Sequence, residues 1–164
     1  MTHLSRPFRM SLLKPTLLVA AGLSLVSFSA AQTARNRAGG QAEEPPLFHE
    51  YRGIQIGALT DDVRKKLGSP ADKGDVQDFF IFGEKETAQV LYDKDHKVVA
   101  ISVDFVNGAS GILTPQQVFG SEIEAKPDGS KYKLVRYPKA GYWLSYNRTA
   151  GDTPLVSVTL QKIQ

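Results

Sequence analysis

From Val99 to Phe105 the chain alternates. Val99, Ile101, Val103 and Phe105 fall on one side of an extended strand, with Ala100, Ser102 and Asp104 on the other. A period of two marks a strand with one buried face, because a helix would scatter those four apolar residues around its circumference. The pattern returns near the C-terminus, where Val156, Val158 and Leu160 alternate with Ser157 and Thr159. The segment ISVDF (101–105) aligns with VSVTL (156–160). A chain organised around two such strands must bury a sheet face and supply something to cover it.

The covering elements are legible ahead of each run of strands. In LTDDVRKKLGSP (59–70), Thr60 reads as the N-cap, and Asp61 and Asp62 suit the positive end of a helix. Val63 and Leu67 share a face, and Gly68 and Pro70 stop the element. Strands are predicted over 78–82, 88–92 and 97–105, with the hairpin turn DKDH at 93–96. After the loop NGASG (107–111) the order repeats. Thr114 caps, Pro115 takes the first helical position, and 116–119 form a short helix ended by Gly120. Strands then read over 131–137, 142–147 and 154–163. The fold class expected is α+β: short helices packed on an antiparallel sheet, in two tandem helix-plus-three-strand units over 47–106 and 107–164 that form one compact domain. Each unit alone would bury too little surface to be stable, so the two are expected to share a sheet or to pack face to face. Their charges are opposite. Residues 47–106 carry 8 basic and 11 acidic side chains, and 107–164 carry 7 and 4. That favours docking of the halves weakly, by steering.

The remaining charge belongs to the start of the chain. Residues 1–14 are basic through Arg6, Arg9 and Lys14, an apolar run TLLVAAGLSLVSF follows at 16–28, and Ser29, Ala30 and Ala31 are small. This order predicts a signal peptide over 1–31, cut after Ala31, and hence an exported, periplasmic or secreted protein. The apolar run is shorter than the ~20 residues a membrane span needs, so no transmembrane segment is expected after cleavage. Of 20 basic and 17 acidic residues, the leader takes three basic ones and leaves a neutral mature chain. Neutrality argues against nucleic acid as a partner. There is no cysteine, which excludes disulfides, thiol catalysis and the lipid anchor of a lipoprotein leader. Residues 32–46, QTARNRAGGQAEEPP, read as a flexible or disordered linker.

The motif Ile54-x-x-Gly57-Ala58-Leu59-Thr60-Asp61-Asp62-Val63-x-x-x-Leu67-Gly68-x-Pro70 resembles the opening motif of the SmpA/OmlA outer-membrane assembly lipoproteins. The tandem arrangement is similar to the related beta-lactamase-inhibitor-like proteins. In this chain Leu59 stands where that family usually has Thr, and the lipidated cysteine is missing. The resemblance implies a small α+β binding or scaffold module, a protein partner in the cell envelope, and no catalytic residues.

The residues themselves offer little chemistry. His49 lies beside the linker, and His96 sits in a turn with Asp93 and Asp95. Side chains of one turn mostly point into water, and neither a positioned base nor the Gly and terminal Glu of a calcium loop is present. Asp61 and Asp62 are explained by the helix dipole. Asn147-Arg148-Thr149 fits a glycosylation sequon. No catalytic residue, metal site or cofactor is therefore expected. Aromatic residues are more suggestive: Tyr132, Tyr137, Tyr142, Trp143 and Tyr146 fall close together. If helices cover the face of Tyr142, Leu144 and Tyr146, then Trp143 lies on the open face, with Tyr137 and Lys133 from the adjoining strand as a binding surface. If the halves pack on each other, Trp143 is core. Phe80 and Phe82 share one face of their strand and Phe79 and Ile81 the other, so either the strand is covered on both sides or one of these faces is a second candidate surface. The function expected is a non-enzymatic binding or scaffold protein of the cell envelope, with Trp143, Tyr137, Lys133, Phe80 and Phe82 as candidate binding residues. A structural component of an envelope assembly and a hydrolase with an unfamiliar site are the alternatives.

Overall fold

The computed structural model describes residues 46–164. The expected leader (1–31), and all of the expected linker (32–46) but its last residue, lie outside them. Seven strands form one sheet: β1 (Asp72–Lys73), β2 (Gln77–Gly83), β3 (Glu86–Tyr92), β4 (Val98–Val106), β5 (Lys131–Tyr137), β6 (Tyr142–Arg148) and β7 (Leu155–Lys162). Their order across the sheet is β1-β2-β3-β4-β7-β6-β5, and every pairing is antiparallel. Two short helices, α1 (Thr60–Leu67) and α2 (Pro115–Phe119), complete a mostly β fold. The two-residue β1 has no counterpart in the sequence pattern, which is too short there to show a period.

Both helices lie on one side. Val63 of α1 and Val118 of α2 belong to the same buried cluster as Phe80, Val90, Ile101, Val103, Leu144, Val158 and Leu160. Such short helices gain their stability from that packing rather than from propensity. The halves share a sheet through β4 and β7, whose facing pairs Ile101–Leu160, Val103–Val158 and Phe105–Val156 are all buried. Among the described residues, each of the four ion pairs lies within one half. The opposite net charges are thus not joined by any ion pair across the seam.

Two local expectations need correcting. Val99 is not in the core. The register shifts where Tyr92 opposes Val98 and Leu91 opposes Ala100, and this bulge leaves Val99 without a partner while Val98 and Ile101 both turn inward. Thr60 does not cap α1. The N-cap is Leu59, with no side-chain bond, and the Thr60 hydroxyl instead donates to His96 O at 3.0 Å, tying the helix start to the β3–β4 turn. Residues 51–54, at the opening of the motif that begins with Ile54, form a turn in which Arg52 and Gly53 are both left-handed (φ 49° and 77°), and they bury Tyr51 and Ile54. At α2 the expectation holds fully: Thr114 and Gln117 form a capping box, and Gly120 closes the helix at φ 72°.

One buried charge fixes α1 to the sheet. Asp78 is fully buried. Arg64 donates to both its carboxylate oxygens, at 2.8 and 2.9 Å, and Tyr92 Oη donates at 2.8 Å. The Gly74 N–H donates at 3.2 Å, and Arg64 also reaches Gly74 O at 2.8 Å. Burial pushes the carboxyl's pKa up, but the bonds from Arg64, Tyr92 and Gly74 outweigh it and hold the group below the usual aspartate range. Removing the carboxylate leaves Arg64 and a buried Tyr92 hydroxyl without their acceptor. Because Arg64 retains some access to water, Asp78→Ala should cost about 3 kcal/mol, at the lower end for a broken buried pair, read as a lower denaturant midpoint. The folded pKa lies below the unfolded one. The stabilisation is therefore present above about pH 4 and lost as pH falls through the folded value. Urea titrations from pH 7 to 2 should show a steep acid limb in the wild type and a flatter one in Asp78→Asn.

Candidate functional site

Placing both helices on one side leaves the other face of the sheet uncovered among the described residues. Register builds that face row by row. One row runs Phe79–Gln89–Ser102–Thr159–Ser145–Leu134, and the next runs Gln77–Leu91–Ala100–Gln161–Trp143–Arg136. A third runs Ile81–Thr87–Asp104–Ser157–Asn147–Tyr132. The middle strands thus present hydroxyls and amides, and the outer strands present the large apolar groups.

The polar centre is held together by its own hydrogen bonds. Ser102 Oγ and Thr159 Oγ1 are 2.9 Å apart across the seam, Ser157 Oγ donates to Asp104 at 2.5 Å, and Gln89 donates to Gln77 at 3.0 Å. Such cross-strand pairs stabilise the sheet. On the margins the apolar groups stand out. Ile81 is 59% exposed at one side, and Tyr132 and Leu134 are 52% and 43% exposed at the other. Trp143 is half-buried between Arg136 and Gln161.

The five residues expected to bind do not form one surface. Trp143 does lie on the open face, not in a core between the halves. Tyr137 and Lys133 lie on the covered face, opposite Tyr142 and Tyr146. The reason is parity: on β5 the residues facing Trp143 and its row mates are even-numbered. The Tyr137 ring contacts that of Tyr142 at 6.1 Å. Lys133 Nζ donates to Ser121 at 3.1 Å and sits 4.8 Å over the Phe119 ring, so it secures α2. Phe80 is core, stacked on Phe82 at 6.1 Å. Phe82 is partly buried beneath Arg52, whose guanidinium lies 4.1 Å over the ring. The patch around Trp143 is instead Arg136, Leu134 and Tyr132.

The Asp93 carboxylate is occupied structurally. Asp93 Oδ1 accepts the N–H of Lys97 and of Asp95, bonds that pull its carboxyl below the usual range, and His96 stands in the same turn at φ 56°. No cluster of three or more metal-ligating side chains occurs among the described residues. Comparison with protein-family models, curated proteins and solved structures finds no match to the chain. No helix among the described residues is long and apolar enough to cross a membrane.

Two clusters escaped the sequence reading. Asp78 shares parity with Phe80, which was the one signal that its carboxylate turns inward. The other cluster joins the N-terminal turn to β3. Tyr51 Oη donates to Glu86 at 2.6 Å, and Arg52 reaches Glu86 at 2.9 Å and Tyr51 Oη at 2.9 Å. Burial, then the bond to Glu86, raises the Tyr51 hydroxyl's pKa well above its ordinary value. Tyr142, on the covered face, has a buried hydroxyl with no hydrogen-bond partner among the described residues, and burial pushes it up to about 12.

Trp143 is the sole tryptophan of the chain, so its fluorescence reports on the open face alone. It should be quenched by acrylamide in the native protein to an extent between that of a fully buried indole and that of the unfolded chain. Trp143→Ala should cost less than Phe80→Ala, for which full burial predicts about 3–5 kcal/mol. A blue, unquenchable native emission would place the indole in a dry environment instead.

Proposed function

We propose that the protein is an exported, non-enzymatic binding or scaffold module of the cell envelope that engages a protein partner through the open sheet face. The observation that carries the reading is the uncovered face itself, with Trp143, Leu134 and Tyr132 beside an Arg136 that makes no ion pair among the described residues. Aromatic groups with an arginine are the side chains that most often anchor a protein interface. The polar centre keeps the face compatible with water when it is unoccupied. The leader pattern of residues 1–31 and the resemblance of residues 54–70 to the SmpA/OmlA motif support an envelope location. His96 stands in a turn, Asp61 and Asp62 in the first turn of α1, and Asp78 in an ion pair with Arg64, positions with structural explanations that support a non-enzymatic reading.

We further propose that the sheet descends from a duplicated helix-plus-three-strand unit. Aligning 101–105 on 156–160 equates Val103 with Val158, and these two residues are paired directly. A rotation about that pair carries Ile101 onto Val156 and Phe105 onto Leu160, and exchanges β2-β3-β4 with β5-β6-β7. Related sequences whose halves are alike through the helix and all three strands would establish the duplication. Likeness confined to these five residues would overturn it.

Two measurements test the binding reading. N-terminal sequencing of the exported protein should begin at Gln32. A photo-crosslinking benzoylphenylalanine in place of Ser145 should give a discrete adduct in intact cells that weakens in a Trp143→Ala background, while the same group at exposed Lys65 on α1 gives none. Equal adducts from both positions would remove the open face as the site.

A further inference from the structure

The two edges of the sheet are built differently. The β2 edge is capped by the two residues of β1 and broken by a register shift between Ile81 and Gly83. β5 ends the sheet at the other side with seven residues in unbroken register, and no strand pairs with its outer side among the described residues. Long, regular edges are usually protected because they offer a ready ladder to another chain.

The outward groups can be assigned. The Ile163 N–H donates to Gly141 O, and the Thr149 N–H donates to Leu155 O. The odd-numbered residues of β6 therefore bond toward β7, and its even-numbered residues bond toward β5. By register, the odd-numbered residues of β5 bond inward, so Tyr132, Leu134 and Arg136 turn both N–H and C=O outward. Tyr132 and Leu134 are also the exposed apolar side chains of this margin.

Charge selects the occupant. On the covered side of the same edge stand Lys131 and Lys133. Lys131 meets Glu122 only at 3.5 Å, and Lys133 has no carboxylate within ion-pair distance among the described residues. The half that carries this edge has an excess of three positive charges. A second copy would set one such half against another.

We propose that β5 is a docking edge that takes an extended segment of a protein partner as an eighth strand, the segment alternating acidic and apolar residues. Its backbone pairs with Tyr132, Leu134 and Arg136, its apolar side chains continue the open-face patch beside Tyr132 and Leu134, and its carboxylates flank Lys131 and Lys133. This deepens the sheet-face reading and rests on it, since the added strand extends the same surface.

The test is amide exchange on the full chain, with a terminally blocked peptide as long as β5 that alternates Val and Glu. The amides of Tyr132, Leu134 and Arg136 should exchange rapidly in the free protein and slow by about tenfold or more at saturating peptide. A Val and Lys peptide should leave them unchanged. Leu134→Pro removes an outward N–H while sparing the inward ladder, a position where an edge strand tolerates proline, and it should abolish the slowing. Leu134→Ala keeps the N–H and should retain slowing at Tyr132 and Arg136. No slowing by the Glu peptide, or equal slowing by the Lys peptide, overturns the proposal. Slow exchange in the free protein also overturns it, because the edge is then already covered by the chain itself or by a second copy, which sedimentation tells apart. If the peptide fails while the adduct from position 145 persists, the docking edge falls and the open face stands; loss of the adduct as well removes both.

Discussion

Val103 and Val158 face each other at the centre of the sheet, on the two strands that join the halves of the chain. Without that seam, each half is a meander of three long strands, with the two-residue β1 added in the first, and one short helix, too small to bury enough surface to fold alone. With it, residues far apart in sequence form one continuous apolar face, and both helices find the same layer to pack on. Forming it requires closing a long loop, from β4 to β7, before its contacts reward the entropy lost. The pairs along the seam are β-branched, aromatic or leucine residues on the covered side, and on the open side Ser102–Thr159 and Asp104–Ser157, flanked by Ala100–Gln161 and Val106–Leu155 at the two ends. The same strands thus separate the dry layer from the wet one.

That division explains where the charged clusters lie. The Arg64–Asp78–Tyr92 network secures α1 to β2 and β3, and the Arg52–Glu86–Tyr51 network secures the preceding turn to β3. Both hold short elements whose apolar contact is limited, so polar geometry supplements packing. α2 carries no such network. It relies on its capping box, on Val118 and on Lys133 stacked over Phe119. The two halves solve the same problem, keeping a short helix on the sheet, by different means.

Much of this was legible in the residues. The six long strands, both helices and the antiparallel arrangement followed from period-two alternation, turn residues and helix stops. What escaped had specific causes. The bulge opposite Leu91 and Tyr92 inverts parity within one strand, and no local pattern announces it, so Val99 was assigned to the core in place of Val98. Thr60 has the chemistry of a cap, but tertiary structure offered its hydroxyl His96 O instead. Parity within β6 correctly set Trp143 apart from Tyr142, Leu144 and Tyr146. Parity between strands depends on register, which sequence does not supply, and for that reason Tyr137 and Lys133 were grouped with Trp143 although they face the other way.

The opposite net charges of the halves gain a different meaning once the sheet is known. Charges that steered docking between halves would meet at the seam, yet the side chains there are neutral apart from Asp104, which is bonded to Ser157. The acidic excess of the first half is spread over its turns and helix start. The basic groups Lys131, Lys133 and Arg136 of the second half stand along one strand, and that strand is the outermost. Like charges so placed keep two copies of a long edge apart, which is how natural sheets protect such edges. The same charges leave the edge open to an acidic chain. A single arrangement of side chains can therefore oppose self-association and favour an acidic partner, and it stands at the margin only because the seam sends β5, rather than β4 or β7, there.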